Sequence, residues 1–146
     1  MDALTSDPPL GHLTTFGGNA ICCAAGRAAL EVVLSENLIA AVKTKNEKFR
    51  NRLKHPAIKD FRSAGLLMAL EFYSPEFNAK VIEVCIANGI LTDWFLFAPQ
   101  CLRLAPPLII SIDEIEIACN VILECIEKVW QDRHAIHDLK VAAGES

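Results

Sequence analysis

The chain has 146 residues, 52% of them hydrophobic and 22% charged, a balance that fits one globular domain with a real core and not a disordered segment. Its formal net charge is −4, with 14 Lys+Arg against 18 Asp+Glu and no basic run, which argues against nucleic acid or an anionic membrane as the main partner. No stretch approaches the roughly 18 apolar residues of a membrane span, and Asp2 and Asp7 stand where a signal peptide would be basic, so the residues predict a cytoplasmic protein.

The opening Ser6-Asp7-Pro8-Pro9-Leu10-Gly11 is barred from helix by its prolines and glycine and predicts a strap along a surface. After Gly17-Gly18, the run from Asn19 to Leu34 is apolar nearly all round, as in a helix buried on several sides. Ser35-Glu36-Asn37 interrupts it. A second, amphipathic helix carries Leu38, Ile39, Val42, Phe49 and Leu53 on one side and Lys43, Lys45, Lys48, Arg50 and Arg52 on the other, up to Pro56.

Phe61 to Tyr73 predicts one strand buried on both faces. Ser74-Pro75 then opens a helix containing Val81, Ile82, Val84, Cys85 and Ile86, and Asn88-Gly89 closes it. Ile90 to Phe97 and Cys101 to Leu104 predict two short strands around Ala98-Pro99-Gln100, with Pro106-Pro107 stopping the second. The last helix begins in a capping box, Ser111 with Glu114, and repeats Ile115, Ala118, Cys119, Ile122, Cys125, Ile126 and Val129 at helical spacing. The order helix, helix, strand, helix, strand, strand, helix predicts an α+β fold, a small and largely antiparallel sheet covered by helices and preceded by a long apolar helix.

Six cysteines, two of them adjacent and none in a C-x-x-C pair, predict reduced thiols in packing roles. His134 and His137 share helical spacing but lack a third ligand, so they predict solvated tail histidines and no metal site. Two segments stand out as binding devices. Gly11-His12-Leu13-Thr14-Thr15-Phe16-Gly17-Gly18-Asn19 sets two hydroxyls and a glycine pair before a long helix, a setting that suits an anion or, alternatively, merely a helix cap and a turn. Cys101-Leu102-Arg103-Leu104-Ala105-Pro106-Pro107-Leu108 sets one fixed cation in an apolar strand. Such a cation needs an arriving carboxylate or an internal acid, with Glu71 or Asp93 as candidates for a permanent salt bridge.

These residues resemble the class III aminotransferases of the fold type I pyridoxal-phosphate enzymes, the group that includes acetylornithine and ornithine aminotransferases. The resemblance rests on His12 to Asn19 and the Ala/Cys-rich helix after it, on Arg62-Ser63-Ala64-Gly65-Leu66-Leu67-Met68-Ala69-Leu70-Glu71-Phe72, and on Leu102 to Leu108, in the family's order. It implies that residues 1–34 end the large cofactor domain as strap and connecting helix, and that 35–146 form the C-terminal small domain.

It also implies roles. Thr15, with Thr14 beside it, would hold the phosphate of pyridoxal 5'-phosphate bound mainly by the other subunit of a homodimer, where neutral donors on a glycine-permitted turn suit a dianion. Arg103 would receive the substrate's α-carboxylate, since a guanidinium fork pairs bidentately and keeps its proton. The substrates implied are small: an amine-bearing amino acid and a 2-oxo acid. Ser63 departs from the family's usual glycine, which bears on the turn into the strand and not on the site, and Arg62 is read as structural. Asp93-Trp94-Phe95-Leu96-Phe97 has no family meaning, and core packing is the expected role of its aromatics.

The family's Schiff-base lysine and the acid on its pyridinium nitrogen lie upstream of the Thr-Phe-Gly-Gly block, and the eight lysines here occupy polar contexts. No catalytic residue is therefore assigned, and the chain alone is expected to be inactive. The alternative is a non-catalytic α+β domain for assembly or small-anion binding.

Overall fold

A computed structural model describes residues 15–142, with side chains described through Asp132. The chain divides after Asn37 into two units. The first contains α1 (Ala20–Ser35), begun by Asn19, whose side chain accepts from the backbone N–H of Ile21 and Cys22. None of the residues of α1 is buried, and Ile21 and Leu34 are 80% and 66% exposed.

The second unit runs α2 (Leu38–Arg52), β1 (Asp60–Ala64), β2 (Leu67–Glu71), α3 (Pro75–Ala87), β3 (Asp93–Phe95), β4 (Ala98–Leu104) and α4 (Ile112–Ala142). Its four strands form one antiparallel sheet in the order β1-β2-β4-β3. The fold is α+β, with helices on one face of a small antiparallel sheet, as the sequence predicts.

The register explains the layering. Met68 stands opposite Leu104, and Leu70 opposite Leu102, so strand alternation sends these four to one face, where all are buried. Full burial of a Leu or Met side chain contributes about 1.5–3 kcal/mol each. Val81 and Cys85 of α3 and Ile115, Cys119, Ile122 and Ile126 of α4 close over them in the same core. Helix α3 packs on β4 and α4, and α4 packs on α2.

Local chemistry sets the boundaries. Ser74 caps α3 by accepting from Phe77 N at 3.2 Å, and Pro75 occupies the first turn, where its missing donor costs nothing. Before α4, Ser111 Oγ accepts from Glu114 N at 3.2 Å while Glu114 Oε2 accepts from Ser111 N at 2.7 Å, the reciprocal capping box. Asn78 is buried in α3 and donates to Pro99 O at 2.7 Å, tying that helix to β4.

Two sequence expectations are corrected. Phe61 to Tyr73 is a hairpin and not one strand: Gly65 takes φ +61, where a side chain is disfavoured, and reverses the chain. Ala98-Pro99-Gln100 belongs to β4 and is not a loop between strands, while the preceding strand shrinks to Asp93–Phe95, broken by a register shift at Trp94/Phe95.

Candidate active-site face

Alternation sends the polar strand residues to the second face of the sheet, opposite the one that packs with α3 and α4 in the core. Arg62, Ala69, Arg103 and Asp93 are paired in one row across all four strands, and Asp60, Glu71 and Cys101 form the next. Ala69, the small residue in the first row, separates the two arginines.

The arginines have different surroundings. Arg62 donates to Glu71, to Asp60 at 3.1 Å and to the Cys101 sulfur at 3.3 Å, and Glu71 also accepts from Lys59 at 2.9 Å. Hydrogen bonds from Arg62 and then Lys59 hold the Glu71 carboxyl below its ordinary range, and the bond to Glu71 raises both cations in return. Burial pushes the Cys101 thiol up, with Arg62 opposing. Arg62 is thus committed to a local ion cluster.

Among the described residues Arg103 has one acidic partner. Its Nε donates to Asp93 Oδ1 at 2.6 Å and its Nη2 to Asp93 Oδ2, a bidentate pair at the edge strand. Asp93 is one of the two internal acids that the sequence offers for this cation; the other, Glu71, pairs instead with Arg62 and Lys59. The Arg103 side chain remains 44% exposed and lines a cavity of ≈ 510 Å³ together with Arg62, Ala69, Cys101 and the turn Phe95 to Ala98. The Phe95 ring lies with its centroid 6.0 Å from Arg103 Cζ.

The aromatics here depart from the expected core packing. Trp94 is 53% and Phe97 96% exposed, on the edge strand and its turn, where the β3–β4 register shifts. Phe95, Leu96 and Phe97 line the cavity instead.

In the first unit, Thr15 is exposed in the turn before α1, and no partner for its hydroxyl is recorded among the described residues. Asn19 caps the helix, so capping is not the role of Thr15. Gly18 takes φ +77 with open space around its α-carbon, which lets backbone approach a ligand closely. Thr14 lies outside the described residues, as do the side chains of His134 and His137. Among the described residues no lysine is buried, no group of three His, Cys, Asp or Glu side chains is placed to hold a metal, and no helix is long and apolar enough to cross a membrane.

A family model described as aminotransferase class-III matches residues 2–126. The chain belongs to the class III aminotransferases. It is 34% identical over 117 residues to the acetylornithine aminotransferase of Bifidobacterium longum, covering 78% of this chain and 26% of that protein. It is 33% identical over 129 residues to the acetylornithine aminotransferase of Streptomyces coelicolor, covering 86% of this chain and 31% of the other.

Among solved structures, an ornithine aminotransferase from Toxoplasma gondii, described with partial occupancy of PLP at its active site, superposes with a TM-score of 0.76 at 32% identity over 92% of this chain and 32% of its own. An acetylornithine aminotransferase from Elizabethkingia anophelis gives 0.70 at 30% identity, over 80% and 32%. This class III chain therefore spans about a quarter to a third of the length of these relatives.

Missing from the sequence reading was the state of Arg103: that Asp93 takes one edge of its fork, and that the aromatics after Asp93 line its cavity. The signal was a lone acid at the first position of a short edge strand, but cross-strand partners depend on a register that a bulge sets, and local pattern does not reveal it.

Proposed function

We propose that this chain is the C-terminal part of a pyridoxal-phosphate-dependent aminotransferase that moves an amino group between an amine-bearing amino acid and a 2-oxo acid in the cytoplasm. Residues 1–34 end its large domain and 35–146 form its small domain. Arg103 receives the substrate's α-carboxylate, and Thr15, with Thr14, contacts the cofactor phosphate of the neighbouring subunit in a homodimer. When bound, the cofactor supplies the electron sink that amino-group transfer requires.

What supports the substrate role is Arg103 itself, a partly exposed guanidinium on the polar face of the sheet, lining a cavity that Phe95, Leu96 and Phe97 also line, in a chain of this family. A guanidinium there fixes the orientation of a carboxylate through two parallel bonds, which is how a binding group lowers the entropic part of a barrier without taking part in bond-making. The Phe95–Phe97 turn supplies the apolar side of the cavity beside it.

Borohydride reduction tests the division of labour. The 146-residue chain incubated with pyridoxal phosphate is expected to give no stable adduct at a single lysine, whereas the complete enzyme that carries it gives one, outside these residues. A single trapped lysine within this chain would overturn the reading.

A further inference from the structure

A guanidinium has two bidentate edges. One joins Nε–H to the near hydrogen of Nη2, and the other joins Nη1 to the far hydrogen of Nη2. In Arg103 the first edge is taken by Asp93, through Nε at 2.6 Å and through Nη2. For Nη1 no partner is recorded among the described residues, and the side chain borders two cavities, of ≈ 510 and ≈ 210 Å³. The backbone at this position is also pinned, because Thr92 Oγ1 donates to Arg103 O at 2.6 Å. The Phe95 ring flanks the guanidinium at 6.0 Å.

We propose that Asp93 is a positioning residue for carboxylate recognition: by holding the Nε edge of Arg103 it presents the Nη1–Nη2 edge to the carboxylate of the amino acid or 2-oxo acid. This rests on the reading of Arg103 as the substrate contact. Asp93 uses two of the five donors, so a second carboxylate can be bound bidentately without displacing it. The pair also keeps a cation on an apolar-walled face from standing uncompensated between turnovers, and it removes rotamer freedom that substrate binding would otherwise have to remove. A competitor role makes the opposite prediction, because an acid that substrate must displace would weaken binding.

The test is steady-state kinetics of the complete enzyme with pyruvate and with 2-oxoglutarate. Asp93→Asn is expected to raise KM by roughly tenfold, about the size of one charge-assisted interaction, with a smaller change in kcat and unchanged affinity for pyridoxal phosphate. Asp93→Glu keeps the charge and moves the fork by one methylene; it is expected to retain the fold and to raise KM only about threefold. In the Arg103→Lys background, Asp93→Asn is expected to change KM less than about twofold, since Asp93 acts through Arg103. A KM that falls or stays unchanged in both Asp93 variants would overturn the proposal, as would an undiminished Asp93→Asn effect in the Arg103→Lys background. Failure of the underlying reading looks different: Arg103→Lys alone would leave KM for both acids unchanged.

Discussion

Gly65, at the turn between β1 and β2, faces Val42 of α2 so closely that a Cβ added to the glycine would lie 3.1 Å from Val42 Cγ1. The same turn is held from α2 by Asn46, whose amide donates to Gly65 O at 2.6 Å. The glycine is needed twice over, for φ +61 and for the close approach. Gly65→Ala should therefore destabilise the domain by about 1–3 kcal/mol, read as a lower urea midpoint with the slope unchanged. An unchanged midpoint would mean that the turn adopts another conformation at no cost.

Acid should loosen the open face of the sheet through Glu71. Its carboxyl is held below 4.5 by Arg62 and then Lys59, so its contribution is present above the ordinary carboxylate range and disappears as pH falls through the lower folded value. Glu71→Gln should be less stable than the parent at pH 7 and should lose less between pH 7 and pH 3. Parallel acid profiles for the two proteins would contradict the assignment.

Base should act on the core through its thiols. Burial pushes Cys85 up to about 12 and Cys119 up to about 11, from an ordinary value of 9.0. A raised folded value means stability that is complete below 9.0 and is lost as pH rises toward the folded values. Chemical denaturation at pH 8 and pH 10.5 should show the loss, and Cys119→Ala should reduce it while costing packing energy at both.

Alkylation of the native 146-residue chain near pH 8 should separate its six cysteines. Cys22 and Cys23 are exposed, whereas Cys85, Cys101, Cys119 and Cys125 are buried, so the first two should react first. Mass spectrometry locates the label, and fast labelling of Cys85 or Cys125 would contradict the packing described.

Helix ends were the most legible part of the sequence, because a cap is a local device. Ser74 with Pro75, and Ser111 with Glu114, act within three or four residues of chain, and each does in space what its spacing predicts. The β1–β2 hairpin was not legible, since Leu66 to Leu70 reads as one continuous apolar run and only the backbone angle of Gly65 reverses it. Arg103 stood out because a cation in an apolar strand is unusual. Its partner Asp93 was only one of two candidates, and choosing between them needs the register, in which Arg103 of β4 stands opposite Asp93 on β3 and opposite Ala69, not Glu71, on β2.

The central claim is that Arg103 grips the substrate while Thr15 grips the cofactor, and paired variants of the complete enzyme test it most directly. Arg103→Lys should lower kcat/KM for the amino acid and the 2-oxo acid by about 3 kcal/mol, more than a hundredfold, with little change in pyridoxal phosphate affinity. Thr15→Ala should weaken the cofactor and spare the KM of both acids once the enzyme is saturated with it. Equal effects of each variant on cofactor and substrate would contradict the account.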